Sequence, residues 1–360
     1  MKTESLATAL KICKGAVETA AIYPIFSHFC FASGAVYAYN DLCAILAPLD
    51  TEITAGLRGD MLLGLLPTLG EDVTLTQIEG TVTLRSGKSK VDLPALLEDS
   101  FMFEAPEVEW DLEVEVTAPF LEGLKRCAET VGDDSQNREF TGVTIAYNQG
   151  LSLFSSDNTR ISCFDAKGTY TAKDGEGPGS WMLSGRACTL LVEAWQNSTT
   201  DEKEASTCTL NLSKDWLLFS TPNLLFYSKL LPEAPPDFAG VLKRIVPKKA
   251  TWLRIPVDFR DTVARALVLT AKAPTAALQL RAEGKTLFAE LAQTGDVRFG
   301  DLSDTANLPE EIAAPLTISI GVVKLAASLE QTDFMCFSER CLGVKVGGYT
   351  CWIATLQNQE

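Results

Sequence analysis

The segment FTGVTIAYNQGLSLFSSDNTRIS, from Phe140 to Ser162, decides the fold of this chain of 360 residues. Alternating apolar and polar residues flank Gly150 on both sides, a pattern that predicts two antiparallel strands joined by a glycine turn. The hairpin follows TAPFLEGLKRCAETV, from Thr117 to Val131, whose apolar residues recur at helical spacing. This stretch therefore predicts an amphipathic helix followed by a hairpin.

The same unit of helix and hairpin occurs once before and once after this segment. TESLATALKICKGAVETA, from Thr3, leads into IFSHFCFASGAVYAYNDL with a predicted turn at Gly34. VDFRDTVARALVLTA, from Val257, leads into AALQLRAEGKTLFAELAQT with a predicted turn at Gly284. A threefold repeat of this kind favours a curved or closed object over a single catalytic cleft.

Each predicted first helix has a residue that suits its N-terminal cap, namely Thr3, Thr117 or Asp258. A second helix and further strands complete each copy, and these helices are predicted in GDMLLGLLPTL, SGRACTLLVEAWQN and SIGVVKLAASLEQ. We therefore expect an α+β fold of three similar domains, at residues 1–111, 112–250 and 251–360.

The composition is that of a globular protein with an acidic balance. Hydrophobic residues make up 46% of the chain and charged residues 22%, which argues against disorder. The net charge of −16 opposes nucleic-acid binding if the charge is spread evenly. However, residues 104–115 carry acid and no base, whereas predicted helices carry the basic pairs Lys11–Lys14 and Lys125–Arg126. An acidic exterior with a basic lining therefore remains open.

The ten cysteines form no closely spaced pairs of the kind that bind zinc, so we interpret them as reduced thiols in a cytoplasmic protein. No apolar run is long enough to span a membrane. The single histidine, His28, lies in a predicted strand, where a packed residue is more common than a catalytic base. Nucleophile-elbow, P-loop and HExxH motifs do not occur. We expect no enzyme activity, no catalytic residue, no metal and no cofactor.

Four stretches in order resemble the bacterial replicative sliding clamp, the beta subunit of DNA polymerase III. They correspond to that family's opening hairpin, its Arg-Ser-Gly hairpin, its second-domain turn and its Phe-Pro-Asp segment. The resemblance covers nearly the whole chain and is weakest in the third domain, as in a divergent member, for which a phage origin is one hypothesis. The stretches are Ile22–Leu42, Leu57–Leu96, Phe140–Ser162 and Lys229–Lys248.

The resemblance implies a ring. Clamps of this family are head-to-tail homodimers whose domains surround duplex DNA, with helices inside and antiparallel sheets outside. They tether a DNA polymerase, a clamp loader and other proteins that carry a clamp-binding peptide, and they need no membrane. The ring stoichiometry, the polymerase and the preferred peptide are not fixed by the sequence.

Basic side chains on the predicted lining helices are the candidate DNA contacts, because a sliding ring needs phosphate contacts without sequence information. For any one of them, a solvated surface charge is the alternative. The candidates are Lys11, Lys14, Arg58, Lys125, Arg126, Gln136, Arg138, Arg186, Arg260, Arg265 and Lys324.

The family's partner peptide enters a pocket between the second and third domains, and its residues carry over by motif. Two departures, Asn158-Thr159 for Gly-His and Ala354-Thr355-Leu356 for Met-Pro-Met, imply a shallower pocket with another peptide preference. Core packing is the alternative for Ile245 and Leu356. The candidates are Phe140, Ser156, Asn158, Thr159, Arg160, Ile161, Pro236, Arg244, Ile245, Val246, Trp352, Ala354, Thr355 and Leu356.

The resemblance also implies a subunit interface, in which Val91 and Leu93 of one copy face Val268 and Leu269 of the next. Ordinary core positions are the alternative for all four. Two other functions stay open beside the sliding clamp. One is a clamp-like decoy that binds clamp-interacting peptides without encircling DNA. The other is an enzyme or small-molecule-binding protein on a repeated α+β scaffold.

Overall fold

The computed structural model describes residues 1–133, 137–148, 150–172, 177–199, 208–273, 275–292 and 300–356. The chain divides into two compact units, and each is made of several segments. Unit 1 comprises Met1–Ala128, Gly142–Leu151 and Ala166–Ala234, and unit 2 comprises Glu129–Thr141, Ser152–Asp165 and Pro235–Glu360.

The described residues form seven α-helices, four in unit 1 and three in unit 2. They are α1 (Thr3–Cys13), α2 (Gly59–Leu65), α3 (Ala118–Ala128), α4 (Gly185–Ser198), α5 (Phe238–Ile245), α6 (Val257–Leu269) and α7 (Val322–Leu329).

The strands pair antiparallel throughout the registers that the structure defines. They are β1 (His28–Ala32), β2 (Ala35–Tyr39), β3 (Cys43–Pro48), β4 (Ala55–Arg58), β5 (Thr74–Ile78), β6 (Thr81–Ser86), β7 (Ser89–Leu96), β8 (Leu112–Val116), β9 (Gly142–Tyr147), β10 (Leu151–Ser156), β11 (Arg160–Asp165), β12 (Tyr170–Ala172), β13 (Gly179–Ser184), β14 (Cys208–Leu212), β15 (Trp216–Thr221), β16 (Leu224–Lys229), β17 (Leu253–Arg254), β18 (Ala277–Ala292), β19 (Ser303–Gly321), β20 (Phe334–Phe337), β21 (Cys341–Val346) and β22 (Tyr349–Ala354).

Unit 1 is built on a twelve-stranded sheet in the order β12-β8-β14-β15-β16-β3-β2-β1-β4-β7-β6-β5. Helix α4 packs against α1 and α3, and α1 contacts β2 and β3. Leu6 and Leu10 of α1 and Ile45 and Phe226 of the sheet are fully buried. Burying each such side chain stabilises the fold by about 1.5–3 kcal/mol, so the amphipathic helices hold to the sheet by these faces.

Unit 2 contains the strands β10-β11-β22-β21-β20-β17 in that order and a separate long ladder of β18 with β19. Helices α6 and α7 pack against each other, and both contact β19. Phe259 and Val263 of α6 and Leu325 of α7 are buried, as their helical spacing requires. The predicted α+β class, with amphipathic helices on antiparallel sheets, is confirmed.

The predicted turn at Gly34 is a two-residue connection between β1 and β2. Ser33 and Gly34 both have positive φ, at 52° and 74°, as in a type I′ turn that matches the twist of the strands. Gly150 lies between β9 and β10. The predicted turn at Gly284 is wrong, because β18 continues through this residue and the ladder shifts register there. Its φ of +58° marks an irregularity inside a strand.

Strand β19 was not predicted from the sequence, and part of its end was assigned to the following helix. Pro309 and Pro315 lie within it and weaken any sequence-based strand pattern. They are tolerated because β19 pairs with β18 alone, so its other edge requires no ladder hydrogen bonds. Helix α7 therefore begins at Val322 and not at Ser319.

Two of the predicted helix caps are wrong. Helix α1 begins at Thr3 with Lys2 at the cap position, and the Thr3 hydroxyl donates to the Gly70 carbonyl. Helix α6 begins at Val257 after Pro256, which places Asp258 inside the first turn. Thr117 directly precedes α3.

No helix in the described ranges is long and apolar enough to cross a membrane.

Candidate functional site

Helices α1 and α3 of unit 1, and the short 3₁₀ helix after α1, carry exposed basic side chains. Lys11 at the end of α1 and Lys14 in the following short 3₁₀ helix both line a groove of about 350 Å³ between α1 and α4. Glu193 and Asn197 of α4 form the facing wall, and the Asn197 side chain donates to the Lys11 carbonyl at 3.3 Å. On α3, Lys125 is exposed and Arg126 is half-buried. Lys11, Lys14 and Lys125 are therefore exposed cations that a polyanion can contact.

Two further basic candidates of unit 1 have acidic neighbours in the same unit. Arg58 binds Asp60 with a nitrogen–oxygen distance of 2.5 Å, and the hydrogen bond from Arg58 lowers the pKa of Asp60. Arg186 of α4 lies 3.9 Å from Glu18. Such exposed pairs exchange readily with water and other anions, so both arginines stay available to an external phosphate.

In unit 2, Arg260 and Arg265 are engaged with acceptors of the protein. Arg260 donates to the carbonyl of Leu329 at 2.6 Å and to the carbonyl of Thr332, and so ties α6 to the end of α7 and the turn after it. Arg265 binds Asp304 at 2.6 Å, and this hydrogen bond lowers the pKa of Asp304. Arg138 is exposed in a short 3₁₀ helix, and Gln136 lies outside the described residues.

Lys324 belongs to a three-residue charge cluster that the sequence did not predict. Its Nζ lies 2.5 Å from Asp157 Oδ2, and Arg160 contacts the same oxygen at 3.0 Å. Arg160 also donates to Ser328 Oγ of α7 and to the carbonyl of Glu129. The side chains of Asp157 and Arg160 are only 5% and 7% exposed, so their charges are compensated inside the protein.

The charge cluster sets the protonation state of Asp157. Burial alone would raise its pKa, but the hydrogen bond from Lys324 and the charge of Arg160 outweigh burial and lower the pKa to about 2. The carboxylate is therefore ionised at neutral pH. A sequence signal for this cluster was the Asp at the start of the Asp-Asn-Thr-Arg turn, a position that suits a carboxylate bonded to backbone N–H groups.

All residues of the predicted partner pocket lie in unit 2. Strand β11 pairs with β22, which sets Ile161 opposite Trp352 and Arg160 opposite Ile353. The Ala354 N–H donates to the Thr159 carbonyl at 2.8 Å and extends this pairing into the turn before β11. The turn and the end of β22 are therefore brought together, as the pocket requires.

Helix α5 contacts strand β10 and the start of β21, and it was not predicted from the sequence. Asp237 caps it by accepting from the Gly240 N–H at 2.8 Å, and Phe238 stacks on Phe154 with ring centroids 5.6 Å apart. Arg340 donates to the Arg244 carbonyl, and the Cys341 thiol donates to the Ile245 carbonyl. These bonds fix the end of α5 against the turn before β21, with Ile245 and Val246 half-buried. A visible signal was the Pro-Pro-Asp run, a common way to start a helix.

The exposure of the pocket residues separates surface groups from packing groups. Ser156 and Trp352 are buried, and the Ser156 hydroxyl donates to the Arg160 carbonyl. Phe140 accepts a backbone bond from Gly132 and is half-buried. Pro236, Ile161 and Thr355 are half-buried, whereas the exposed members are Asn158, Thr159, Arg244, Ala354 and Leu356. The exposed set combines apolar surface with a guanidinium group.

The four predicted interface residues have different environments. Val268 is 77% exposed and Leu269 is 39% exposed at the end of α6, which is unusual for large aliphatic residues. Leu93 is 6% exposed within unit 1, and Val91 is half-buried. Strand β7 pairs with β6 from Ser89 to Pro94 but with β4 only at Ala95 and Leu96, so the edge beside Val91 and Leu93 has no described partner.

His28 is buried in β1, and burial lowers its pKa. Its Nδ1 lies 2.6 Å from the Pro24 carbonyl, which fixes the ring in a structural contact. The cysteines are free thiols, and burial raises the pKa of Cys30 and Cys43 to about 12, so both are protonated at neutral pH. Among the residues that the structure describes, no group of three or more His, Cys, Asp or Glu is placed to hold a metal ion.

Comparison with known proteins assigns the fold. The chain is similar to the crystal structure of the DNA polymerase III beta subunit of Thermotoga maritima, with 18% sequence identity and a TM-score of 0.82 over 99% of this chain and 98% of that one. The DNA polymerase sliding clamp of Bacillus subtilis matches at 15% identity and TM-score 0.84, over 99% and 98% of the two chains. The beta subunit from the DNA polymerase of Streptococcus pyogenes matches at 17% sequence identity and a TM-score of 0.84, over 99% of both chains.

No protein-family profile and no curated protein sequence matches the chain. The agreement with these structures therefore lies in the fold, at sequence identities of 15–18%. From end to end, the chain has the fold of the bacterial DNA polymerase III beta subunits.

Proposed function

We propose that this protein is a DNA sliding clamp, a processivity factor that encircles duplex DNA and tethers a DNA polymerase. The observation that carries the proposal is the likeness of nearly the entire chain to solved sliding clamps. A clamp performs no chemistry on its substrate. It holds its partner near the template, which raises the partner's effective concentration without any tight contact to DNA.

The proposed DNA contacts are the exposed cations of the unit 1 helices. Lys11, Lys14 and Lys125 project long flexible side chains that suit loose phosphate contacts. Arg58 and Arg186 join them because their ion pairs are exposed, and so does the half-buried Arg126 of α3. The exposed Arg138, which lies in unit 2, completes the set of candidates. In unit 2, Arg265 and Lys324 would contact DNA only after breaking their ion pairs with Asp304 and Asp157. Arg260 is hydrogen-bonded to the Leu329 carbonyl at the end of α7.

The proposed partner site is the surface formed by the turn before β11, the end of β22 and helix α5. Its exposed residues supply apolar contacts from Leu356 and a charge from Arg244, which suits a short linear peptide. A polymerase and a clamp loader are the proposed carriers of such peptides. Self-association would use the free edge of β7 and the exposed Val268 and Leu269.

Topological retention on DNA tests the proposal directly. The protein is diluted until its subunits dissociate, then concentrated again in the presence of nicked circular plasmid. After gel filtration at raised salt, which weakens phosphate contacts, we expect the protein to elute with the circle. Cutting the same complex with a restriction nuclease should then release it. The proposal would be contradicted if the protein failed to elute with the circle, or if it still eluted with the DNA after the circle had been cut.

A clamp-like decoy is the second candidate, and one observation favours it. Arg260, Arg265 and Lys324 are held by acceptors of the protein, which reduces the free positive charge on the helices of unit 2. A decoy would bind clamp-interacting peptides through the site beside α5 and would show no retention on circular DNA. Peptide binding without retention therefore distinguishes the two functions.

A further inference from the structure

A cavity of about 260 Å³ lies on unit 1, and none of the proposed DNA contacts lines it. Its walls are largely aromatic and include Phe26, Tyr39, Phe103 and Trp216. The Phe26 and Tyr39 rings meet edge to face with centroids 5.6 Å apart, and Phe103 lies 5.8 Å from Tyr39. Met102, which is 60% exposed, adds an apolar surface. This volume suits one or two side chains and not a large ligand.

The turn that borders this cavity has the same hydrogen bonds as the turn of the proposed partner site. Asn40 Oδ1 accepts from the N–H groups two and three residues later, at 2.9 and 3.1 Å. Asp157 Oδ1 accepts from the equivalent groups of its own turn, at 3.1 and 2.8 Å. In both turns the first N–H also donates to the carbonyl three residues later. The two turns are therefore counterparts in successive repeats.

The strands beside the two turns correspond as well. Strand β3 pairs with β16 as β11 pairs with β22. The Lys229 N–H donates to the Leu42 carbonyl at 3.4 Å, as the Ala354 N–H donates to the Thr159 carbonyl. By this correspondence Lys229 of the cavity occupies the place of Ala354. The cavity is therefore the counterpart, within unit 1, of the surface proposed to receive a partner peptide in unit 2.

Among the described residues, one polar group of the cavity wall has no hydrogen-bond partner. In the second repeat both oxygens of Asp157 are bonded, one to backbone N–H groups and the other to Arg160 and Lys324. In the first repeat the Asn40 side chain is 9% exposed, and its Nδ2 has no acceptor among the described residues. A buried donor without an acceptor costs about 1–3 kcal/mol. The Nδ2 has almost no solvent-accessible area, so this conformation of Asn40 does not present the donor to the cavity.

Charge distinguishes the two counterparts. Asp41 and Glu104 line the cavity and are exposed, and the exposed Glu107 and Glu109 follow in the same extended segment. Lys229 is the cation of the lining, and its Nζ lies 5.7 Å from the centroid of the Trp216 ring. The rim is therefore acidic, whereas the surface beside α5 carries Arg244. An occupant of the cavity should carry positive charge beside its apolar group.

We propose that this cavity is a second peptide-binding site, which takes an extended segment with one apolar or aromatic anchor side chain next to Lys or Arg. The anchor enters between the aromatic walls, and the basic residues lie against Asp41 and Glu104. The cavity lies in unit 1, and its occupation needs neither a ring nor DNA, whereas its correspondence with a peptide-binding surface rests on the proposed function.

The test uses the full chain and a fluorescein-labelled peptide of sequence Gly-Lys-Leu-Phe-Lys-Gly, followed by fluorescence anisotropy. A matched peptide with Gly in place of Leu and Phe keeps the charge and removes the anchor. We expect saturable binding of the first peptide and none of the second at the same ionic strength. Equal binding of both would overturn the proposal, because general attraction to an acidic protein would then explain it.

Variants locate the site. Asp41→Lys with Glu104→Lys reverses two exposed charges of the rim, and we expect about tenfold weaker binding, as for two exposed ion pairs. The control is Asp50→Lys with Glu52→Lys, which changes the net charge equally at the other end of β3 and should leave binding unchanged. Met102→Ala removes apolar surface and should weaken binding several-fold. Equal effects of the two double variants, or no effect of either, would overturn the assignment.

Discussion

Replacing Asp157 by Asn removes one negative charge from the charge cluster of unit 2 and changes little else in shape. The Asn side chain keeps an oxygen for the two backbone N–H groups of the turn, as Asn40 does in the first repeat. It no longer offers a carboxylate to Arg160 and Lys324. The variant therefore isolates the electrostatic contribution of Asp157 from its part in the turn.

The expected cost is about 2 kcal/mol of unfolding free energy. The depression of the Asp157 pKa from 3.8 to about 2 corresponds to about 2.5 kcal/mol in favour of the charged form. Lys324 is 42% exposed, so solvent screens part of its attraction to the Asp157 carboxylate and reduces this free energy. Leaving a buried cation without its ion-pair partner costs about 3–5 kcal/mol. The cost is smaller here because Arg160 keeps its hydrogen bonds to Ser328 and to the Glu129 carbonyl.

Urea unfolding of the native chain and the variant, followed by circular dichroism, measures the difference. The control is Asp60→Asn, which removes the exposed pair with Arg58 in unit 1 and should shift no transition measurably. Because the chain has two compact units, the unfolding transition of each unit is identified first. The loss of unfolding free energy is expected in the transition of unit 2. A change no larger for Asp157→Asn than for Asp60→Asn would refute the reasoning.

The same variant predicts a pH dependence of definite sign. The pKa of Asp157 is lowered in the folded protein, so its contribution is fully present above the ordinary value of 3.8. It is lost as the pH falls from 3.8 towards about 2. The difference in stability between the native chain and Asp157→Asn should therefore shrink across this window. A difference that stays constant there would contradict the charge argument.

Two further predictions concern the proposed DNA and subunit contacts. Lys11→Glu with Lys125→Glu should weaken retention on circular DNA and leave self-association intact. The control, Lys88→Glu with Lys214→Glu in exposed turns between strands, should change neither retention nor self-association. Equal retention of the two double variants would remove the helices from the DNA contact. Val268→Asp should shift sedimentation towards the monomer without unfolding, because the residue is 77% exposed. Val257→Asp, 73% exposed at the start of the same helix, is its control, and an equal shift for both would exclude Val268 from a specific interface.

The sequence predicted those elements whose local signals agree with their tertiary setting. Helix α1 buries Leu6 and Leu10 at helical spacing, and the connection at Gly34 has the positive φ that a tight hairpin turn requires. The prediction failed where tertiary context overrides local preference. Gly284 suggests a turn in isolation, yet the long ladder of β18 with β19 absorbs it as an irregularity.

Site residues were predicted less completely, for a physical reason. Exposed cations such as Lys11 follow from the helical pattern, because charge and exposure are local properties. The role of Lys324 could not follow, since Asp157 is distant in sequence and meets it only through the packing of α7 on the sheet of unit 2. Arg260 looks like a surface cation in sequence, and only the structure reveals its bonds to the carbonyls at the end of α7.

The central claim is that copies of this chain close into a ring around duplex DNA. Negative-stain electron microscopy of the purified protein tests it most directly, with class averages inspected for a closed outline and a central hole. We expect a ring whose hole is wide enough for a DNA duplex. A compact or elongated particle without a hole, at concentrations where the protein self-associates, would contradict the clamp.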